Sequence, residues 1–101
     1  MRLRFHDDFK TDYKKYKKQV ADGRKLDTEL KTFTDHVLKK RELPASYIIN
    51  RLITEGTGWY ECFIYTDKKH SLILLLKLEP ASLTLARLGP PAYLTTKSHR
   101  K

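Results

Sequence analysis

A chain of 101 residues builds one domain around a single core, with too little material for a second domain and its own cleft, so any site lies on a face or in a shallow groove. Its 21 Lys and Arg residues against 12 Asp and Glu residues give a formal net charge of +9, spread along the whole length, which points to a polyanionic partner: nucleic acid, an acidic protein or an anionic membrane surface. One cysteine, Cys62, excludes an intramolecular disulfide framework and fits a reducing cytosol. The longest apolar run, Leu72 to Leu76, is too short to span a bilayer, and the opening MRLRFHDDF lacks the apolar stretch of a secretory signal.

Residues 2–5, RLRF, alternate basic and apolar, as a strand does with one face buried. Asp7 and Asp8 then offer a helix cap and charge for the positive end of a helix dipole. Phe9, Tyr13, Tyr16 and Val20 fall on one helical stripe, with Lys10, Lys14, Lys15, Lys17 and Lys18 on the remaining surface, and the helix should end near Asp22-Gly23. A second stripe, Leu26, Leu30, Phe33 and Val37, repeats the spacing with Asp27 as its expected cap and Lys39, Lys40 and Arg41 near its end. The short link between them predicts an antiparallel helical hairpin.

Pro44 stops the second helix, and residues 43–58 form a connector with apolar content of its own, Tyr47, Ile48, Ile49, Leu52 and Ile53. After Gly58 comes a three-stranded meander. In its first strand Tyr60, Cys62 and Ile64 share one face, with Trp59, Phe63 and Tyr65 on the other. Residues 66–70 turn the chain, and residues 71–78 are so continuously apolar that they predict the central strand, covered on both faces. Glu79-Pro80-Ala81 turns again, and alternation puts Leu83, Leu85 and Arg87 on one inward side of the last strand. The fold class expected is α+β: a short N-terminal strand, an antiparallel helical hairpin and a three-stranded antiparallel meander. One domain over residues 1–94 is followed by a basic tail over residues 95–101, TTKSHRK, which lacks core residues.

This order of elements resembles the RelE/ParE superfamily of bacterial toxins, and within it the YafQ-like branch. The resemblance runs from Phe5 to Leu94. It is carried by Phe9 with Tyr13, by Leu43-Pro44 followed by Tyr47 and Leu52, by Gly58 to Tyr60, by LILLLKL over residues 72–78, and by Arg87-x-Gly89. It implies a cytoplasmic toxin of a type II toxin-antitoxin pair, a ribosome-dependent mRNA endonuclease held inactive by an acidic antitoxin in a hetero-oligomeric complex. The ParE branch instead inhibits DNA gyrase, so fold alone leaves that alternative open, together with a catalytically degenerate member that only binds RNA or the ribosome.

Cleaving RNA without a metal requires a base for the 2′-hydroxyl, positive charge for the phosphorane and an acid for the departing 5′-oxygen. The resemblance implies histidines for the proton transfers, and here the sequence departs from it. Asn50 stands where the first is expected, Ile64 near the second, and Pro90-Pro91 replaces the segment carrying the last. The candidate catalytic residues are therefore Arg87, His70, Asp67, Tyr93 and Asn50. Each has a plainer reading: an ion pair for Arg87, an exposed turn residue for His70, a turn former for Asp67, packing for Tyr93 and solvation for Asn50. Lys68, Lys69, Arg51, Lys14 and Lys18 are the candidate RNA-binding residues, since phosphate neutralisation is cumulative and sequence-independent, although helix lysines are also ordinary solvated residues. No metal or other cofactor is expected, because His6, His36, His70, His99 and Cys62 show no ligand spacing and the four glycines form no phosphate-binding loop.

Overall fold

The computed structural model describes residues 1–52 and 55–91. In chain order these form β1 (Arg2–Phe5), α1 (Asp7–Gln19), α2 (Gly23–Lys40), β2 (Ile49–Arg51), β3 (Trp59–Thr66), β4 (Ser71–Glu79) and β5 (Ser82–Gly89). The expected boundary at residue 94, the tail over residues 95–101, Tyr93 and Ile53 lie outside the described residues.

Local chemistry sets the helix ends, with two changes from the sequence reading. His6 caps α1, its Nδ1 accepting the Asp8 N–H at 3.0 Å, while Asp7 and Asp8 occupy the first turn, where their charge suits the dipole. Asp22 caps α2 by accepting the Lys25 N–H at 3.1 Å, so Gly23 begins a helix instead of following one. Asp27, expected as that cap, has another role: its carboxylate accepts from the Tyr13 hydroxyl and, at 2.6 Å, from the Lys17 ammonium, which ties the two helices together. At the other end Arg41 takes the left-handed conformation (φ 59°), and its N–H closes on the Val37 carbonyl at 2.8 Å before Pro44.

The fold class is α+β as expected, with the connector contributing a strand the sequence reading lacked. The sheet runs β1-β5-β4-β3-β2, with β1 parallel to β5 and the other pairs antiparallel. β4 is its middle strand, and Leu72 to Leu76 are all buried. Leu72, Leu74 and Leu76 join Leu83, Leu85 and Leu88 under the helices, where Leu26, Phe33 and Val37 of α2 and Phe9 and Tyr16 of α1 close the core. α1 lies over β5, and α2 reaches from β3 to β1.

Two β-bulges change which face a residue occupies. In β3 the extra residue Ile64 brings Tyr65 opposite Leu72, so Tyr65 joins Cys62 in the core instead of siding with Trp59 and Phe63. In β5 the extra residue Ala86 brings Arg87 opposite Leu75, so Leu88 continues the inward row of Leu83 and Leu85 and Arg87 does not. Gly58 launches β3 at φ 87°, and a Cβ there would come 2.5 Å from the Leu78 carbonyl oxygen. Only glycine allows that approach, which lets the Leu78 N–H donate to the Gly58 carbonyl at 2.8 Å.

Candidate functional site

Strand register assembles the site from residues far apart in the chain. Residues directly opposite one another share a face of a sheet, and alternate residues of one strand take opposite faces. With Leu72, Leu74 and Leu76 facing the helices, Ile73, Leu75 and Lys77 mark the opposite face, open in that the helices pack on the other side, although Ile73 and Leu75 are themselves buried. Pairing runs Asn50↔Glu61, Glu61↔Leu75 and Leu75↔Arg87, a single row across β2, β3, β4 and β5. A second row, about 7 Å along the strands, runs Trp59↔Lys77, Lys77↔Thr84 and Thr84↔Arg4. The open face therefore carries an amide and a carboxylate in one row, with the Arg87 guanidinium turned to Asp12 at the β5 edge of that row, and an indole with two cations in the next. The Lys77 ammonium sits 5.6 Å from the Trp59 ring centroid, a cation–π contact beside an aromatic surface on which a base can stack.

Arg87 is held firmly at one end of the first row. Its Nε donates to Asp12 Oδ2 at 2.8 Å and its Nη2 to Asp12 Oδ1 at 3.4 Å, and the same Oδ2 accepts the Leu88 N–H at 3.0 Å. Asp12 is 7% exposed, one of the buried polar residues of α1 and α2. The carboxylate thus covers the edge of β5 beyond the end of β1, and it fixes the guanidinium. The ion-pair reading of Arg87 is realised; its positive charge stays at the site, partly neutralised.

Asp67 is spent on structure. Its Oδ2 accepts from the Tyr65 hydroxyl at 2.7 Å and the Ala21 N–H at 3.0 Å, and its Oδ1 from the Lys69 and His70 N–H groups at 2.8 and 2.7 Å. These bonds, the Tyr65 hydroxyl foremost and then the Ala21 N–H, hold its carboxyl well below the usual carboxylate range. Such a group makes a poor proton acceptor near neutral pH. It is a clasp joining the β3–β4 turn to the α1–α2 link, which also uses the Tyr65 hydroxyl accepting the Asp22 N–H at 3.2 Å. His70 leans on the clasp with Nδ1 3.4 Å from Asp67 Oδ1, yet Nδ1 has no hydrogen-bond partner among the described residues. Its side chain is part-buried, not the freely exposed turn residue of the plainer reading. Asp67 and His70 lie at the end of the sheet where β5 finishes, since Gly89 pairs with Ile73.

Asn50 is positioned by its neighbours in the connector. Tyr47 packs edge-on against Phe33, ring centroids 5.6 Å apart, and donates its hydroxyl to Glu29 Oε1 at 2.7 Å; burial first, then that bond, pushes its phenol up. From this anchor the chain enters β2, and Asn50 Nδ2 donates to Glu61 Oε1 at 3.2 Å. Cys62, next to Glu61, faces the core, where burial chiefly and Glu29 in addition push its thiol up to about 12, so it is no nucleophile near pH 7. Among the described residues no three His, Cys, Asp or Glu side chains come together to hold a metal ion, and no helix is long and apolar enough to cross a membrane.

Of the sequence candidates, the structure brings Asn50 and Arg87 into one row and puts Asp67 and His70 together at the clasp. Lys68 and Lys69 are exposed in the adjoining turn, Arg51 is exposed on β2, and Lys14 and Lys18 border a cleft on α1 with Tyr13 and Lys17. Glu61, Lys77, Trp59 and Arg4 were missed. The signal for two of them was present: Glu61 is the lone charge in WYECFIY and Lys77 the lone charge in LILLLKL, each an ionised group inside an otherwise apolar strand.

The sequence matches no family model and no curated relative. Solved structures do match. YafQ from the DinJ–YafQ complex of E. coli superposes with a TM-score of 0.74 at 24% identity, covering 95% of this chain and 100% of that one. A metal-bound toxin from Helicobacter pylori gives 0.72 at 21% identity over 93% and 98% of the two chains. The RelB–RelE antitoxin–toxin complex of Methanococcus jannaschii gives 0.63 at 11% identity over 90% and 93%. Element order, sheet topology and these superpositions agree: the chain has the fold that YafQ and RelE share.

Proposed function

We propose that the protein is the toxin of a type II toxin-antitoxin pair and cleaves mRNA on the ribosome by acid–base chemistry on the open face of the sheet. The observation that carries this reading is the row Asn50–Glu61–Leu75–Arg87, in which register aligns a hydrogen-bonded amide and carboxylate with an arginine two strands away on a basic molecule. The fold shared with YafQ and RelE, each found with an antitoxin, supports it. In the proposed reaction a 2′-oxygen attacks the adjacent phosphorus while its proton passes to Glu61, which Asn50 orients. The bond from phosphorus to the 5′-oxygen breaks and that oxygen takes a proton, for which His70 and Tyr93 are the candidates. Arg87, with Lys77 and Arg4 one row away, offsets the charge of the phosphorane. Trp59 stacks a base, and Lys68, Lys69, Arg51, Lys14 and Lys18 neutralise phosphates around the site. An acidic antitoxin in the bacterial cytoplasm is the cognate partner, and residues 1–94 act as one domain.

Primer extension on mRNA translated in vitro with the purified protein tests this. Codon-positioned cuts that vanish when ribosomes are omitted are expected; uncut mRNA in a translating reaction overturns the reading. A second reading, a ParE-like gyrase inhibitor or a binding-only member, draws on one observation: Arg87 is tied to Asp12 and Asp67 is spent on backbone N–H groups, so two of the candidate groups are engaged. Stalled DNA supercoiling with mRNA uncut would favour it.

A further inference from the structure

Beyond the Asn50–Glu61 pair, on the side away from Trp59, the open face changes character. Trp59, Glu61 and Phe63 alternate along β3, so an indole, a carboxylate and a phenyl ring share that face at intervals of about 7 Å. The Ile49↔Cys62 pairing continues one step, and Ile48 stands opposite Phe63, whose N–H donates to the Ile48 carbonyl at 3.0 Å. Phe63 pairs with the buried Ile73 on its other side, yet Phe63 is only part-buried and Ile48 is 68% exposed. At this point β2 gives out. From the bulged residue Ile64 to Thr66 the edge of β3 has no strand beside it among the described residues, and an open pocket of about 410 Å³ occupies the gap. Phe63 and Ile48 supply its apolar wall, the Ser46 and Thr66 hydroxyls and the Glu29 carboxylate its polar one, and the exposed Lys25 borders it.

We propose that this pocket takes an unpaired nucleobase of the RNA substrate, the base on one side of the phosphate held at Asn50–Glu61, while Trp59 stacks the base on the other side. The proposal deepens the nuclease reading and rests on it for which phosphate is cut. Its first support is placement: an aromatic ring lies one row to either side of the carboxylate, a step that one nucleotide of an extended strand can span. The second is chemistry. Trp59, with the Lys77 ammonium 5.6 Å from its ring centroid, is a stacking surface that tolerates any base, whereas the pocket adds groups that hydrogen-bond to base edges. Glu29 is held in place by the Tyr47 hydroxyl on Oε1 at 2.7 Å, and a carboxylate accepts from an exocyclic amino group. Adenine, cytosine and guanine carry such a group and uracil does not, so sequence preference belongs to the Phe63 side and tolerance to the Trp59 side. An extended peptide could also add to the bare edge of β3. The net charge of +9 and the row of polar groups next to the pocket favour RNA.

The test uses the full chain and a fluorescein-labelled RNA tetramer whose outer two nucleotides are abasic, so that only the bases flanking the central phosphate can stack. A 2′-deoxy sugar before that phosphate lets the tetramer bind without being cut. Anisotropy at low salt should show saturable binding that weakens at least fivefold when either base is removed. Trp59→Leu should cancel the effect of removing one base and Phe63→Leu the effect of removing the other. Ile48→Ser, at an exposed position that leaves the core intact, should act as Phe63→Leu does, and uracil in place of adenine should weaken binding at least fivefold on the Phe63 side and less than twofold on the Trp59 side. Absence of saturable binding, indifference to base removal, or both aromatic variants acting on the same base overturns the proposal. So does an extended uncharged peptide that binds, loses its binding in Ile48→Ser and is not displaced by the RNA, which would make the edge of β3 a strand-docking site. Primer extension on translating ribosomes runs in parallel. Codon-positioned cutting without base-dependent tetramer binding removes the pocket proposal alone; base-dependent binding with uncut mRNA removes the nuclease reading alone.

Discussion

Asp12 holds three groups at once, the two guanidinium nitrogens of Arg87 and the Leu88 N–H, from a position only 7% exposed. Removing one partner of such a pair strands the other, so Asp12→Ala should cost about 3–5 kcal/mol in urea denaturation, and Arg87→Ala should destabilise as well. A loss of cleavage in an Arg87 variant therefore counts only after its folded fraction is measured, and Arg87→Lys, which keeps a cation, is the better probe. If Arg87 offsets phosphorane charge, Arg87→Lys should lower cleavage at least tenfold, about 1.4 kcal/mol of transition-state stabilisation. Glu61 presents the opposite case. It lies on the open face, where its carboxylate accepts from Asn50, so Glu61→Gln should change stability by no more than about 0.5 kcal/mol while lowering the cleavage rate more than tenfold. Equal rates for Glu61→Gln and the parent would remove it as the base.

At the scale of elements, the β3–β4 turn and the α1–α2 link are one mechanical unit clasped by Asp67. Because the folded state holds this carboxyl below its usual range, the stability it contributes is complete above the unfolded pKa of about 4 and is lost as pH falls below that value. Thermal melts should show the parent losing Tm between about pH 5 and pH 3, with Asp67→Asn less stable at pH 7 and less sensitive across that interval. The start of β3 is the other stressed element. Gly58→Ala places a methyl group against the Leu78 carbonyl at positive φ, and a loss of about 2 kcal/mol or more, some 10 °C in Tm for a domain of this size, is the expected result.

For the whole molecule, the net charge of +9 and the two faces of the sheet divide the work. The open face gathers Arg4, Lys77 and Arg87, with Lys68 and Lys69 exposed in the adjoining turn. Because Arg87 is already paired with Asp12, four phosphates neutralised by the other cations would give single-stranded RNA a salt slope near −2.8, so affinity should fall about 50-fold between 50 and 200 mM salt. A filter-binding titration checks it, and Lys77→Ala should make the slope shallower by about 0.7. The helix side carries the opposite chemistry, an apolar groove with a cationic margin.

Periodicity, charge and punctuation in the sequence were enough to determine the helical hairpin, the meander, the central place of β4 and the basic character of the surface, because each depends on side chains close together along the chain. The parallel pairing of β1 with β5 and the short strand β2 depend on contacts across the molecule, and only the tertiary structure decided them. The faces of Tyr65 and Arg87 were misread for a related reason: a single extra residue, Ile64 or Ala86, reverses the alternation, and whether a strand bulges is settled by the partner it must match. The site followed the same division. Arg87, Asn50, Asp67 and His70 were legible as chemistry-bearing residues, but which of them bond to one another is a property of register and helix docking. Glu61 entered the site because Asn50 and Arg87, 37 positions apart by their numbers, align across four strands with it.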